Sequence, residues 1–399
     1  VPSAAVKLAG RLDAALAATN ACLVVADGST PLYSHQAALA LAPASTEKLL
    51  VAAAALRVLG PDFRFVTQVR APAAPAGGKV GWLWLVGSGD ALLATPEWMA
   101  FQAPHARDGA YPWTPLGSLA DSLVAAGIRN VAGGIKGDDS ELDRLRFLPA
   151  WPASYEKDME VGALSALTLN EGFQQWTPVP VLAADPPAYA SSELARLLAA
   201  RHVVVGPSGG DQTAPPGSVV VAQLQSAPLT QIIQIMLTAS DNLIAELLVR
   251  QIDRHSGRTG TTPGGVAAVM QQAAGLGVPT AGAVMLDGSG LAPGNRATCT
   301  ELLAALDVGG RPGFEAIANG LAIAGTTGTL VNRFVGSPVA GRLRAKTGSI
   351  ANAGGMVGVL ALTRPLRFAL LVNQPLTYAQ LLEKEDAVVA ALSTYPEAP

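Results

Sequence analysis

Apolar residues at Leu8, Leu12 and Leu16, with charged positions between them, recur every fourth residue and predict an amphipathic helix over 4–18. The unbroken apolar run at 21–26 fits a buried strand, and Asp27-Gly28 turns the chain into a second strand at 31–35. An Ala/Leu-rich stretch at 46–59 reads as one long helix stopped by Gly60-Pro61. Near Phe65 the texture changes. A strand at 66–69 runs into a loose Pro/Ala/Gly stretch at 71–78, and a second strand at 82–87 ends at Gly89-Asp90. A helix at 116–126 and a strand at 131–135 follow, and 140–230 mixes short strands with many prolines. Helical spacing returns at 229–237, 240–251 and 298–307, with a Gly-rich turn at 286–290. Three strands (342–346, 354–363, 367–373) and a helix at 379–392 close the chain.

Both chain ends therefore supply strands and helices to one α/β (α+β) domain, an antiparallel sheet covered by helices. This assigns 1–66 and 226–399 to a discontinuous domain and 67–225 to an insert with its own core. At 399 residues the chain has room for both.

Composition narrows the chemistry. Half the residues are hydrophobic and 14% are charged, so the core is largely aliphatic. A net charge of −3 offers no basic stripe for nucleic acid. No apolar run is long enough to span a bilayer; the richest, at 49–59, is short and contains Arg57. The chain opens at Val1, a start that removal of a leader would leave. Cys22 and Cys299 fit either one bridge in an oxidising compartment or two separately buried thiols. The histidines (His35, His105, His202, His255) are scattered without metal-ligand spacing, so a zinc enzyme is not expected. No G-x-S-x-G elbow is present, and a nucleophilic serine here would need a base other than histidine.

Three short motifs carry the chemistry: Ser45-Thr46-Glu47-Lys48, Ser240-Asp241-Asn242 and Lys346-Thr347-Gly348. Each alone is weak, since Ser45 can simply cap a helix and Lys346 can simply end a strand. In this order, S-x-x-K, S-D-N and K-T-G form one acyl-transfer set. Lys48, one helical turn from Ser45, can take the hydroxyl proton if its amine is neutral, and burial beside a second cation, Lys346, lowers a lysine's pKa. Ser240 and Asn242 can relay a proton to a leaving amine and hold a substrate amide. Lys346 and Thr347 suit a terminal carboxylate. Gly348, lacking a side chain, lets a substrate backbone lie on the strand edge. The backbone N–H groups of Ser45 and Ser349 are the simplest oxyanion donors.

The local contexts extend the pattern. Pro43-Ala44-Ser45 precedes the first motif, and Leu85-Val86-Gly87-Ser88-Gly89-Asp90 opens the insert. Leu164 to Glu171, Ser226-Ala227-Pro228-Leu229, Asp287-Gly288-Ser289-Gly290-Leu291 with Asn295-Arg296, and Gly328-Thr329-Leu330 with Arg333 complete it. With these stretches the chain resembles the low-molecular-mass penicillin-binding proteins of the penicillin-binding-protein-4 type, D-Ala-D-Ala carboxypeptidases and endopeptidases of peptidase family S13. The 191 residues between Lys48 and Ser240 match that type's insertion, although the family's insert is generally longer.

The resemblance implies a penicillin-recognition domain with a five-stranded antiparallel sheet, interrupted by the insert. It implies peptidoglycan stem peptides as substrates, β-lactams as acylating inhibitors, placement outside the cytoplasm at the cell wall, and no metal or organic cofactor. Where the family carries Ser-Arg after D-G-S-G-L, this chain has Ala292-Pro293. An acidic residue early in the insert contacts the stem peptide in relatives; Asp138 or Asp139 is the candidate for that role. Two other readings compete: a non-catalytic peptidoglycan-binding scaffold, and a β-lactamase or esterase on the same fold.

Overall fold

The structure is a computed structural model, described here for residues 3–105 and 111–396. Two compact units emerge: Val1–Pro61 with Ile233–Asp241 and Val266–Pro399, and Asp62–Ile232 with Asn242–Gly265. These limits depart from 66/67 and 225/226. The second unit begins slightly earlier, ends later, and also takes in the helix Asn242–His255.

The first unit is built on one antiparallel sheet. Its strands lie in the order Ala322–Ile323, Leu343–Ile350, Ala353–Leu360, Leu366–Asn373, Ala21–Asp27, Thr30–His35. Six strands replace the five expected, the extra one being a two-residue edge strand that pairs only with Ala345 and Arg344. From Lys346 onward the outer edge of Leu343–Ile350 has no strand partner among the described residues.

Side chains alternate across this sheet, as the two-residue period of a strand requires. Leu23, Val25, Leu343, Ala345, Phe368 and Leu370 pack with Leu8, Leu12 and Leu16 of the helix Ala4–Leu16 and with Val388 and Leu392 of the helix Tyr378–Leu392. Residues of the other parity face the helices Lys48–Leu59 and Cys299–Val308. Lys346, Gly348 and Cys22 are among them. Cys22 is bridged to Cys299, with Cα atoms 5.9 Å apart, which joins the second strand from the sheet's edge to the first residue of a helix.

The second unit holds a mixed five-stranded sheet in the order Val204–Val205, Asn130–Asp138, Lys79–Val86, Val66–Ala71, Val219–Gln225. The first three run parallel and the last three antiparallel. The helices Leu116–Ala125 and Pro186–Ala199 supply Leu119, Leu123, Leu194 and Leu198 to its aliphatic core. Among the described residues no helix is long and apolar enough to cross a membrane.

Candidate active site

Ser45 sits in a 3-10 turn, Ala44–Glu47, that leads directly into the helix Lys48–Leu59, so the predicted helix begins two residues later than expected. The turn is forced from behind. Ala44 adopts φ +47°, a left-handed value few non-glycine residues hold. Gly290, at φ +83°, lies so close that a Cβ there would fall 2.0 Å from the Ala44 carbonyl oxygen and 3.0 Å from the Ser45 nitrogen.

Asp287 makes that approach reproducible. Its carboxylate accepts hydrogen bonds from Gly290 N–H at 3.0 Å, Ala292 N–H at 2.6 Å and the Asn295 amide at 2.7 Å, all inside the protein. The loop so fixed presents the Ser289 carbonyl to the site. Lys48 Nζ lies 2.7 Å from Ser45 Oγ and 2.8 Å from that carbonyl, and Ser45 Oγ itself is 3.2 Å from it.

The sheet brings up the second lysine. Lys346 Nζ donates to Ser240 Oγ at 2.8 Å and to the Thr347 carbonyl at 2.6 Å. Ser240 is held at φ +64°, just after the helix Leu229–Thr238 ends. Both lysines are fully buried. Desolvation, and after it the nearby charge of Lys48, holds the Lys346 amine well below its ordinary 10.5. Two buried ammonium groups in one pocket repel, so a neutral amine in this pair is the favoured state.

Gly348 has a different reason from the one expected. A Cβ on it would meet Ser45 N at 2.8 Å, Thr46 N at 3.0 Å and Pro43 O at 3.0 Å. The missing side chain makes room for the protein's own serine turn. On the opposite flank, Thr347 Oγ1 donates to Thr329 Oγ1 at 2.7 Å. Ser349 is exposed and lines a cavity of about 230 Å³ with Ile350, Asn352, Gln374, Thr377 and Tyr378.

The first unit thus gathers Ser45, Lys48, Ser240, Lys346, Thr347 and Gly348. Asn242 opens the first helix of the second unit's C-terminal segment, where its side-chain amide donates to the Glu160 carbonyl at 2.7 Å. Asp138 and Asp139 are buried in the second unit. Asp138 accepts from the backbone of Ser140 and Ala214, and Asp139 pairs with Arg144 and Arg146 while accepting from Ser165. Both carboxylates thus meet their partners within this unit. Sequence reasoning missed the Ser289 carbonyl and Thr329. Both lie inside stretches flagged only for their resemblance, and a backbone acceptor leaves no mark in residue identity. No three His, Cys, Asp or Glu side chains gather to hold a metal among the described residues.

The sequence profile of the D-Ala-D-Ala carboxypeptidase 3 (S13) family matches residues 7–183 and 174–395. Carboxypeptidase DacB of Mycolicibacterium smegmatis is 32% identical over 384 residues, covering 92% of this chain and 80% of that protein. The D-alanyl-D-alanine carboxypeptidase of an Actinomadura species is 29% identical over 464 residues, 96% of this chain and 83% of its own. Among solved structures, penicillin binding protein 4 of Haemophilus influenzae superposes with a TM-score of 0.82 at 19% identity, covering 97% of this chain and 99% of the other.

Proposed function

We propose, from the premise that this chain belongs to the D-Ala-D-Ala carboxypeptidase 3 (S13) family of serine peptidases, how its own residues divide the work. Ser45 is the nucleophile. Lys48, in its neutral form, takes the hydroxyl proton as the Oγ–carbon bond forms to the penultimate D-Ala carbonyl. The Ser289 carbonyl accepts one amine N–H and so turns the lone pair toward Ser45. The single observation that carries this is the 2.7 Å contact between Lys48 Nζ and Ser45 Oγ, made by a lysine with no exposure to solvent.

As the tetrahedral adduct collapses, the carbon–nitrogen bond breaks, Ser240 gives its hydroxyl proton to the departing D-Ala amine, and the proton that Lys48 took from Ser45 replaces it, so Lys48 is neutral again. Lys346 and Thr347 hold the terminal carboxylate, and the backbone N–H groups of Ser45 and Ser349 hold the oxyanion. A water then hydrolyses the acyl-enzyme: neutral Lys48 takes its proton as the new oxygen–carbon bond forms, and gives a proton to Ser45 Oγ as the ester bond breaks. The open outer edge of Leu343–Ile350 beyond Ala345 is where the acyl donor adds as a strand.

The substrate is a stem peptide of peptidoglycan, the removal of a terminal D-Ala is favoured over crosslink cleavage, and the protein acts outside the cytoplasm, where the Cys22–Cys299 bridge persists.

Incubation with a fluorescent penicillin, followed by peptide mass mapping, tests the assignment. The expected result is a covalent adduct on Ser45 that lasts many minutes. A folded protein that takes no label on Ser45 sinks the reading, and penicillin turnover within seconds makes the protein a β-lactamase instead.

A further inference from the structure

The contact between the hydroxyls of Thr347 and Thr329 has no part in the scheme above. Thr347 is half-buried on the K-T-G strand, and Thr329 is exposed on the 3-10 turn Gly328–Leu330. That turn is held too firmly for the contact to be incidental. Gly328 sits at φ +54°, where a Cβ would be 2.2 Å from the carbonyl oxygen of Thr238. Leu330 is fully buried and its carbonyl accepts Gly325 N–H at 2.9 Å, while Thr327 Oγ1 accepts Ile323 N–H at 2.9 Å. Thr238 lies two residues before Ser240, so the turn that aims Thr329 rests on the segment that presents Ser240 to Lys346.

Each hydroxyl has one proton to give and can accept as well. In the structure Thr347 gives its proton to Thr329. A substrate carboxylate only accepts, so Thr347 can bond it only by withdrawing that proton. We infer that Thr329 is a positioning residue for carboxylate recognition: when the carboxylate arrives the hydroxyl pair reverses, Thr329 donates to Thr347 Oγ1, and Thr347 donates to the carboxylate beside Lys346. Only hydroxyl hydrogens turn, and no heavy atom has to move. The chain Thr329 to Thr347 to carboxylate polarises in one direction, which strengthens its charged end. This rests on the proposed carboxylate role of Lys346 and Thr347.

The test compares an N-acylated peptide ending in D-Ala-D-Ala with a free carboxylate against the same peptide as its C-terminal amide. For Thr329→Val, which keeps shape and removes the hydroxyl, KM for the free acid should rise about 10-fold with kcat within about twofold, as for an interaction made alike in ground and transition states. The amide should change by less than about twofold, and Thr329→Ser should restore the acid's KM. Equal losses on both peptides, failure of serine to restore the acid, or an unchanged acid would each overturn the inference. Penicillin labelling of Ser45 in the variant checks that the site is still assembled. The parent reading fails separately, and takes this one with it, if the unaltered enzyme does not prefer the acid or if Lys346→Ala leaves that preference intact.

Discussion

Breaking the Cys22–Cys299 bridge should destabilise the catalytic unit by several kcal/mol. The cysteines are 277 positions apart, so the bridge closes a very long loop in the unfolded chain. The loop-entropy relation gives about 5.6 kcal/mol for that length. If the second unit stays folded, only roughly 80 residues of the catalytic unit lie within the loop, and the same relation gives about 4.5 kcal/mol. The logarithm makes the two cases nearly equal. Measured losses of native bridges run to about 2–5 kcal/mol, and in a unit of about 200 residues each kcal/mol moves Tm by about 2–4 °C. Near-ultraviolet circular dichroism during heating should thus find Cys22→Ala/Cys299→Ala lower in Tm by about 5–20 °C. Both cysteines are wholly buried, so lost packing must be told apart from lost crosslinking. If crosslinking dominates, either single variant loses nearly as much as the double, because the bond is absent in each. Losses that add across the two singles, or a double variant within about 2 °C of the parent, would refute the entropic account.

Other outcomes follow from the site. Ser45→Ala should abolish penicillin labelling while leaving the far-ultraviolet spectrum and Tm close to the parent's. Lys48→Ala should slow acylation about 10²–10⁴-fold in stopped-flow labelling, and near-parental acylation would remove Lys48 from the base role. Gly290→Ala should cost acylation far more than stability, since its Cβ would displace the Ala44 carbonyl and the serine turn with it; a crystal structure showing Ser45 unmoved beside slow acylation would contradict that cause. Lys346 binds its proton less tightly when folded, so unfolding takes up a proton between its native pKa and 10.5. Urea unfolding should accordingly gain stability with rising pH across that window, and Lys346→Met should flatten the gain; parallel pH profiles for the two proteins would show that this amine is not its source.

The terminal helices, the hairpin at 21–35 and the closing strands were legible because one buried face per element writes its period directly into the residues. The helix Thr262–Gly275 was not, since Pro263, Gly264 and Gly265 look like a turn. Their reason is a neighbour: a Cβ on Gly265 would lie 2.1 Å from the Val249 carbonyl oxygen, and one on Gly264 would lie 2.3 Å from Asp253 Oδ1. Helix packing at backbone distance erases the propensity signal it depends on. The helix Pro186–Ala199 was hidden likewise by two leading prolines, which suit a first helical turn as well as they suit a loop. Of the candidate site, the motif side chains that the fold brings together, Ser45 with Lys48 and Ser240 with Lys346, were readable, and the loop at 287–295 that supports them was not.

The glycines of the motifs make the same point at the site itself. Gly348 and Gly290 approach the serine turn from two sides, each leaving no room for a methyl group. Ser45 is therefore set by contact between three backbone segments drawn from distant parts of the chain, the turn at 44–47, the loop at 287–295 and the strand Leu343–Ile350. A side-chain hydroxyl on a free turn samples several rotamers. Here the turn cannot shift without driving one backbone into another, and Lys48, anchored on Ser289, meets Ser45 Oγ at a fixed distance. Such preorganisation is stored in packing, so conservative changes at either glycine should resemble loss of the nucleophile more than loss of the fold.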